Sequence, residues 1–315
     1  MGSKRTSSSV TRIWIVLGVV LTAIIAFSSG YLVATVTENE SVGFSVVDDY
    51  GRTVTLDGIP DRIVSISPTP TEILYSIGAG PQVVGVDNYS DFPDEAKLLP
   101  KVGDAFDLNT EVIIALKPDL IVCGDLVPEQ LDQISETQGI PYVLLADRTV
   151  EAVLKTIRLA GIITGHVDEA DQLATNLSER VDALTAKTLA DGVSKPKVLV
   201  ETWSWGTMIS TFGPGSYGDD VIALAGGTNI AAYAASEYPM IESEFVIAQN
   251  PDVVVYTLSG TTKDTIVSRA GWENVTAVQL DHIYSFPDDL ISRYGARLID
   301  GLEMLAAIIH PELFP

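Results

Sequence analysis

Residues 111–122, Glu-Val-Ile-Ile-Ala-Leu-Lys-Pro-Asp-Leu-Ile-Val, match residues 244–255, Glu-Phe-Val-Ile-Ala-Gln-Asn-Pro-Asp-Val-Val-Val, at a constant offset of 133 positions (244 minus 111). Each copy predicts a helix that stops before a proline, because proline disfavours the helical conformation of the residue preceding it. Each then continues into an apolar run typical of a buried parallel strand. Since the match extends seven residues before the proline, it favours two related lobes.

Strand-like and helix-like runs alternate on both sides of the repeat, which is typical of parallel β-α-β units. The first half predicts strands at 63–66, 83–86, 120–123 and 142–145, with helices at 71–77 and 110–116. The alternation resumes in the second half with 197–203, 218–225, 241–249, 253–256 and 283–286, and ends in a helix over about 295–309.

Between these halves, residues 150–189 carry no strand signal and only helical periodicity. A continuous helix from Asp168 to Ala190 spans roughly 34 Å at 1.5 Å per residue. That length is long for a crossover and suits a rigid bar that joins two lobes.

The amino-terminal segment from Ile13 to Val36 has 24 residues without a charge, enough to cross a bilayer as a helix. Basic residues precede the segment and Glu38 and Glu40 follow it, so the positive-inside rule places the rest of the chain outside the cytoplasm. A cleavable signal peptide is the alternative, although its apolar stretch is normally shorter. No cysteine lies near the segment to carry a lipid, so we expect an uncleaved anchor.

We therefore predict an α/β protein with two Rossmann-like lobes, each with a central parallel sheet, joined by one long helix and preceded by a transmembrane helix. The predicted boundaries are a basic cytoplasmic tail at 1–12, the transmembrane anchor or signal segment at 13–36, a linker at 37–43, an N-terminal lobe at 44–148, a helical connection at 149–192 and a C-terminal lobe at 193–315.

Composition excludes several classes of function. The 19 Lys and Arg against 42 Asp and Glu give a net charge of −23, which repels nucleic acid and anionic lipid surfaces. The single cysteine, Cys123, lies in an apolar run and is interpreted as a small buried side chain. The three histidines are far apart, so we expect no metal site, and no motif of a nucleophile with its base is present. The residues thus favour a binding protein over an enzyme.

Ligands of open parallel sheets gather beyond the carboxyl ends of the strands. The segments there, with their neighbouring loops, are rich in aromatic residues, whose flat faces suit a large planar or partly apolar ligand. Trp203 and Trp205 could equally line the cleft or fill the end of the apolar core. Asp289 and Arg293 lie four residues apart, a spacing that favours a helical ion pair over a ligand contact. The candidate ligand-binding residues are Tyr89, Phe92, Phe106, Trp203, Trp205, Tyr217, Asp289 and Arg293.

Two glutamates lie at predicted helix starts. Thr69-Pro70-Thr71-Glu72 fits a capping box with proline at the first helical position, and Glu244 follows Ser243 where a negative charge suits the helix dipole. Local capping alone explains both glutamates.

Five motifs in order resemble the substrate-binding proteins of ABC importers for cobalamin and iron-siderophore complexes, and the resemblance runs from about Phe44 to the end of the chain. It implies two lobes bridged by a long helix, with modest hinge movement and the ligand held between them. The motifs are residues 62–72 (Arg-Ile-Val-Ser-Ile-Ser-Pro-Thr-Pro-Thr-Glu), 78–80 (Gly-Ala-Gly), 84–93 (Val-Gly-Val-Asp-Asn-Tyr-Ser-Asp-Phe-Pro), 116–122 (Leu-Lys-Pro-Asp-Leu-Ile-Val) and 225–230 (Ala-Gly-Gly-Thr-Asn-Ile).

The resemblance also implies roles for residues. Glu72 and Glu244 would be acidic knobs, one per lobe, that dock on arginines of the membrane permease. Tyr89 matches a ligand-contacting tyrosine of the cobalamin-binding branch, and Trp203 and Asp289 fall near further contact positions. Where that branch carries a tryptophan, this chain has Ala105-Phe106, so a siderophore or haem ligand stays open.

We thus expect a monomeric extracytoplasmic receptor, held at the cell membrane by a single-pass anchor, that delivers a metal chelate, above all cobalamin or another corrinoid, to an ABC permease with its ATPase. It is expected to hold no permanent cofactor or metal, to bind no nucleic acid and to perform no chemistry. An iron-siderophore or haem receptor is the alternative within the family, and an extracellular α/β enzyme acting on a small metabolite is the alternative from another class.

Overall fold

The computed structural model describes residues 22–27, 30–35, 43–145, 149–257 and 261–315. An antiparallel sheet comes first along the chain, and its strand order follows the sequence. Its strands are β1 (Thr22–Phe27), β2 (Gly30–Thr35), β3 (Phe44–Val47) and β4 (Thr53–Leu56).

The expected transmembrane helix at 13–36 is not found in the described part of that segment. There, β1 pairs with β2, and Val33 and Ala34 of β2 pair with β3. Among the described residues, no helix has both the length and the apolar composition needed to cross a bilayer. The segment is rich in β-branched residues, which suit paired strands, and apolar composition alone does not distinguish a strand from a helix. Residues 1–21, 28–29 and 36–42, which include the predicted tail and most of the linker, lie outside the described residues.

The first lobe contains a parallel sheet in the order β6-β5-β7-β8. Every residue of the two inner strands, β5 and β7, is buried, as expected for a sheet covered on both faces. Its elements are β5 (Ile63–Ile66), α1 (Pro68–Ser76), β6 (Val83–Val86), α2 (Thr110–Leu116), β7 (Leu120–Cys123), α3 (Gln130–Gln138) and β8 (Tyr142–Leu144).

Two helices, α4 (Val150–Thr164) and α5 (Val167–Thr188), lead from the first lobe to the second. Helix α5 has 22 residues and is therefore roughly 33 Å long, which confirms the predicted bar. It packs against α4 and against two helices of the second lobe.

The second lobe contains a parallel sheet in the order β12-β9-β14-β15 and a separate antiparallel sheet in the order β10-β11-β13, which we call the flap. Its elements are β9 (Lys197–Glu201), β10 (Trp203–Trp205), β11 (Met208–Ser210), α6 (Tyr217–Leu224), β12 (Thr228–Asn229), β13 (Met240–Glu242), α7 (Ser243–Gln249), β14 (Val253–Tyr256), α8 (Lys263–Val267), α9 (Thr276–Gln279), β15 (Ile283–Ser285), α10 (Asp289–Ser292) and α11 (Leu298–Ile309).

The two parallel sheets have equivalent strand orders, in which the first strand of each lobe lies between the second and the third. The repeated sequence occupies equivalent places, α2 with β7 and α7 with β14. In both copies the residue before the proline ends the helix in the left-handed conformation, Lys117 with φ 49° and Asn250 with φ 50°. The structure therefore confirms the two related lobes predicted from the repeat.

One apolar core runs through the helical connection into both lobes. It includes Ile157 of α4, Leu177 of α5 and Leu302 of α11, together with buried residues of both parallel sheets. The lobes are therefore joined by a continuous packed interior behind the carboxyl ends of their strands.

Candidate functional site

The Tyr89 loop follows β6 at the carboxyl end of the first sheet and is held by buried polar groups. The Asp87 carboxylate accepts hydrogen bonds from the Tyr89 amide at 3.1 Å and from the Ser90 hydroxyl. The Ser90 hydroxyl also contacts the Thr71 hydroxyl of α1 at 2.8 Å. These bonds fix the backbone on either side of Tyr89, whose own side chain is 63% exposed.

The buried Asp87 carboxylate supports this loop. Its burial raises the pKa of the carboxyl group, although hydrogen bonds from Ser90 and from the Tyr89 amide and the charge of Lys101 act in the opposite direction. The Lys101 ammonium group donates to the backbone oxygens of Asp87 at 3.1 Å and of Ser90 at 2.8 Å. A ligand above this loop would meet the exposed ring of Tyr89.

A second aromatic side chain of the first lobe lies beside Tyr89. The Asp104 carboxylate accepts from the amides of Phe106 at 3.0 Å and Asp107 at 3.1 Å, and these bonds lower the pKa of Asp104. Phe106 is thereby held at a turn with 83% of its surface exposed. A small cavity of about 90 Å³ lies between the Tyr89 and Phe106 loops.

The second lobe presents Trp203 and Trp205 on strand β10 of the flap. Both are exposed, Trp205 by 76%, so they do not plug a core end. Ser204 lies between them in a strand where successive side chains point to opposite faces. It pairs with the buried Ile209, and the tryptophans therefore share the outer face of the flap.

A buried ion pair anchors the base of the flap. Glu201, at the end of β9, is fully buried and accepts two hydrogen bonds from the Arg269 guanidinium group, at 2.6 and 2.7 Å. Arg269 also donates to the Ser204 hydroxyl at 3.3 Å and lies 4.9 Å from the Trp272 ring centre. The two exposed tryptophans thus stand on a strand whose middle residue is tied to a bidentate pair.

Tyr217, predicted to contact ligand, is 7% exposed and belongs to a cluster of rings. It lies 5.2 Å from the rings of Phe212 and Tyr294, and Tyr294 forms a hydrogen bond with Asp125 of the first lobe. Burial raises the pKa of both Tyr217 and Tyr294. The Tyr217 ring packs against aromatic side chains of the second lobe and leaves little surface for a ligand, and its role as a ligand contact stays a prediction.

Five charged side chains join the lobes, and we call them the interlobe ion cluster: Glu72 and Asp91 from the first lobe, and Asp289, Arg293 and Arg297 from the second. Arg297 donates to both carboxylate oxygens of Glu72, at 2.7 and 2.5 Å, and Arg293 donates to Glu72 at 2.9 Å. Arg293 also pairs with Asp91 at 2.7 Å and with Asp289 at 3.0 Å. The contact between Asp289 and Arg293 is the ion pair that their spacing favours.

Phe92 lies at the edge of this cluster. The Arg297 guanidinium group lies 3.9 Å from the centre of its ring, the geometry of a cation–π interaction, and the ring remains exposed on its other side. Arg297 therefore holds a predicted ligand residue as well as Glu72.

The Glu72 side chain does not face the solvent in this structure. It is 4% exposed, and its carboxylate forms ion pairs with Arg293 and Arg297. The predicted capping box is also wrong, because α1 begins at Pro68 and its N-cap residue, Ser67, makes no side-chain capping bond. Glu244 differs from Glu72: it lies in the first turn of α7 and is exposed. Of the two predicted docking residues, the structure leaves only Glu244 accessible.

The sequence did not single out several residues that complete this cleft. Arg297 lies four positions after Arg293, but α10 ends at Ser292, so no helical spacing marks the pair. Asp125 follows β7 at the expected sheet edge. That position was the only feature of the sequence that could have marked it as a cleft residue. A cavity of about 650 Å³ lies next to Arg297 and is lined by the segments that follow β14 and β15.

Two other predictions concern reactive groups. Burial raises the pKa of the Cys123 thiol to about 12, and its sulfur lies 3.4 Å from the Leu126 carbonyl, so it is an inert interior group. In the parts of the chain that the structure describes, no cluster of three or more His, Cys, Asp or Glu side chains is arranged to hold a metal ion.

The fold and this cleft can be compared with known proteins. Residues 63–290 match the family described as periplasmic binding protein. The chain belongs to the periplasmic binding protein family. It is 32% identical over 276 residues to the uncharacterized ABC transporter substrate-binding lipoprotein YvrC of Bacillus subtilis, and the match covers 86% of each chain.

Two further proteins are similar to it. The vitamin B12-binding protein of Pectobacterium carotovorum is 28% identical over 253 residues, which cover 79% of this chain and 88% of that protein. The structure of the periplasmic heme-binding protein RhuT of Roseiflexus sp. RS-1 has a TM-score of 0.71 and 28% identity, and the match covers 80% of this chain and 99% of that chain. The resemblance drawn from the five sequence motifs is confirmed, as is the α/β fold of two lobes with parallel sheets.

Proposed function

We propose that this periplasmic binding protein is the extracytoplasmic substrate-binding protein of an ABC importer, and that it captures a bulky metal chelate in the cleft and hands it to the permease. One observation carries the proposal: both lobes hold exposed aromatic side chains on rigid supports beyond the carboxyl ends of their strands. Tyr89 and Phe106 stand on the first lobe, and Trp203 and Trp205 stand on the second. Flat apolar faces from two sides suit one large guest.

The charges of the cleft support a corrinoid as the chelate. The interlobe ion cluster contains two arginines, Arg293 and Arg297. Both already form ion pairs with carboxylates. An anionic ferric siderophore, or haem with its two carboxylates, gains most from a cation that is not already paired. A corrinoid with neutral amide side chains can bind by stacking and a few polar contacts, and it brings its own metal.

Haem is the second candidate, and the similarity to the heme-binding protein RhuT favours it. Coordination of ferric haem by tyrosine needs the phenolate form. Burial raises the pKa of Tyr217 and Tyr294, so neither suits that role at neutral pH. Among the cleft tyrosines named above, an axial ligand would have to come from the exposed Tyr89.

The test is a thermal-shift and calorimetry series with cyanocobalamin, haemin and a ferric hydroxamate siderophore. A ligand that binds only the folded protein stabilises it by about 2.7 kcal/mol at about 100 times Kd. We expect cyanocobalamin to raise the melting temperature and to be recovered chemically unchanged. Stabilisation by haemin alone would make the protein a haem receptor, and chemical conversion of any ligand would place it among enzymes.

We further propose that the lobes work outside the cytoplasmic membrane and that residues 13–36 hold them to it. Support comes from the uncharged run with basic residues before it and acidic residues after it, and from the lack of a cysteine that could carry a lipid there. In hydrocarbon the segment would adopt a helix, because an open strand edge leaves backbone groups without partners. Cell fractionation should find the full chain in the membrane and a chain beginning at residue 43 in the soluble fraction. Release of the full chain by high salt would contradict an inserted anchor.

A further inference from the structure

The small cavity between the Tyr89 and Phe106 loops combines aromatic rings with negative charge. Its lining includes the carboxyl groups of Asp87, Asp104 and Asp125 as well as the two exposed rings. Among the described residues that line it, there is no lysine, arginine or histidine. An anionic group placed in this cavity would therefore meet like charges without a compensating cation.

Two of these carboxyl groups already hold the aromatic loops. Asp87 is buried and accepts from the Tyr89 amide at 3.1 Å. Asp104 accepts from the Phe106 amide at 3.0 Å and from the Asn88 side-chain amide at 3.3 Å. These bonds position the rings on either side of the cavity, so a ligand has to find its acceptor elsewhere in the lining.

Asp125 is the carboxylate that is left for a ligand. It is half-buried just after β7, and it accepts a hydrogen bond from the Tyr294 hydroxyl of the second lobe. In the part of the chain that the structure describes, Asp125 takes part in no ion pair, whereas Glu72 and Asp91 of the interlobe ion cluster are paired with arginine. A carboxylate that is partly withdrawn from water is stabilised by further hydrogen-bond donors.

The volume of the cavity limits what can enter it. At about 90 Å³ it is well below the roughly 300–1,000 Å³ of a pocket that encloses a whole drug-sized ligand. It has room for one side arm of a chelate, while the ring system lies outside it against the exposed aromatic faces.

We propose that Asp125 makes this cavity a specificity subsite, which accepts a side arm with N–H donors, such as a primary amide or an ammonium group, and rejects a side arm that ends in a carboxylate. A carboxylate arm is opposed twice, because it offers Asp125 no hydrogen and brings a like charge close to Asp104. The inference rests on the proposed function and deepens it, since it states which chemistry the rim of the captured chelate carries.

The experiment compares matched ligands by isothermal titration calorimetry with the full chain in detergent. The first ligand pair is cyanocobalamin and its separated monocarboxylic acids, in each of which one peripheral amide is hydrolysed. The second is ferrioxamine B, which ends in an ammonium group, and its succinylated form, which ends in a carboxylate. Haemin, with two carboxylates, is the third ligand. For the chelate that binds, we expect at least one carboxylate form to bind about tenfold or more weakly than the N–H form, a difference of about 1.4 kcal/mol.

Asp125→Asn tests the source of this preference. The variant loses the charge but keeps a side-chain oxygen that can accept from Tyr294, and the preference should fall below about threefold. The control is Asp107→Asn, which removes an equal charge from an exposed residue of the Phe106 loop that does not line the cavity. The control should keep the preference of the wild type.

Leu126→Lys tests the subsite without changing Asp125. Leu126 lines the cavity and is 56% exposed, so a lysine there adds a cation to the wall without burial of its charge. We expect tighter binding of the carboxylate form by about tenfold. Val127→Lys is the control, because Val127 is also exposed but lies outside the lining.

The outcomes separate the subsite from the proposed function. If the wild type binds both forms equally well, or if Asp125→Asn keeps the full preference, the subsite is wrong and the receptor function stands. Binding of haemin alone has the same meaning. If Asp125→Asn does not fold, Leu126→Lys decides, and no gain for the carboxylate form overturns the subsite. If the wild type binds no chelate at all, both proposals fall.

Discussion

Tyr89 of the first lobe and Tyr217 of the second lobe differ in exposure, 63% against 7%. An exposed ring on a supported loop can exchange its water for a ligand, so its contribution appears in affinity. A buried ring in a cluster stabilises the fold, so its loss appears first in stability. At the scale of single residues, burial therefore decides which predicted ligand residues remain good candidates.

Replacing Tyr89 by alanine should lower the affinity for the cleft's ligand about tenfold to a hundredfold, because one aromatic face of the binding surface is lost. The free energy of unfolding should change by less than about 0.5 kcal/mol, since the side chain is mostly exposed. Isothermal titration calorimetry and urea unfolding give the two numbers. The control is Tyr50→Ala, an exposed tyrosine on the turn between β3 and β4. Equal affinities of the two variants would remove Tyr89 from the site.

The contact between Asp91 and Arg293 predicts a dependence on pH. Partial burial alone would raise the pKa of Asp91, but the hydrogen bond and charge of Arg293 outweigh this and lower it. Because the pKa is lower in the folded state than in the unfolded state, the stabilisation is complete above about pH 4 and is lost as the pH falls through the lowered value.

Asp91→Asn should accordingly reduce the free energy of unfolding by about 0.5–1 kcal/mol at pH 7, a modest loss because Asp91 is about half exposed. The difference in the free energy of unfolding between variant and wild type should shrink as the pH falls below about 4. Urea unfolding at pH 7, 4 and 3 measures it, with Asp94→Asn in the exposed pair with Lys97 as the control. A gap that stays constant from pH 7 to pH 3 would show that the ion pair is not its source.

Residue chemistry in the cleft was only partly predictable. Tyr89 and Phe92 follow a strand end that the sequence marks by an apolar run, and Phe106 lies on a neighbouring loop, so their place near the cleft could be predicted. Arg293 and Arg297 bind Glu72 across 221 and 225 positions, and no local pattern reports a contact between two lobes. The same missing information made Glu72 look like a free helix-start carboxylate.

At the scale of elements, the buried parallel strands were the best predicted, because apolar runs between turn residues leave few alternatives. The strands of the flap were missed as a sheet, since each has only three residues and its outer face mixes tryptophan and methionine with the polar Ser210 and Glu242. The described parts of residues 13–36 form the strands β1 and β2, and the uncharged run with its flanking charges does not by itself distinguish paired strands from a helix.

Equivalent aspartate hydrogen bonds, which we call tethers, hold the start of the first parallel strand in each lobe. Asp119 accepts from the amides of Asp61 at 2.9 Å and Arg62 at 3.0 Å, just before β5, and Asp252 accepts from the Lys197 amide at 2.8 Å at the start of β9. The Arg62 and Lys197 side chains in turn donate to carbonyls near the ends of α2 and α7. The aspartate after each repeated proline thus fastens the first strand of its own lobe.

Asp119→Ala and Asp252→Ala should therefore destabilise the protein by similar amounts, about 0.5–1.5 kcal/mol each, because the freed amides are exposed and water takes the place of the lost carboxylate. The double variant should show the sum, since the two tethers lie in different lobes. Differential scanning calorimetry measures both. The control is Asp57→Ala, an aspartate that precedes β5 and lines a surface depression. A large effect in one lobe alone would contradict the equivalence of the two tethers.

On the scale of the whole molecule, two different kinds of contact hold the lobes together. The apolar core through α4, α5 and α11 forms a stiff rear wall, and the interlobe ion cluster closes the lobes at the carboxyl edge of their sheets. Packed apolar interiors deform little, whereas ion pairs can exchange partners. Opening of the cleft should therefore depend on the ion cluster more than on the core.

Spin labels at Leu98→Cys and Leu280→Cys can measure this opening by double electron–electron resonance. Both positions are exposed, and the native Cys123 thiol is buried with a pKa of about 12, so it takes no label. We expect one narrow distance distribution for the wild-type background. Glu72→Gln should broaden it toward longer distances, because both arginines of the second lobe lose their charged partner in the first lobe and only the pair of Arg293 with Asp91 remains across the cleft. Arg297→Met should broaden it less, since Arg293 still holds Glu72.

The control variant is Asp300→Asn, which weakens the 2.6 Å pair with Arg180 between α5 and α11 and leaves the cleft untouched. Its distance distribution should match the wild type. Saturating ligand should narrow the Glu72→Gln distribution again, because contacts to the aromatic side chains of both lobes replace the lost ion pairs. If Glu72→Gln without ligand is as narrow as the wild type, the apolar wall alone sets the opening angle of the lobes.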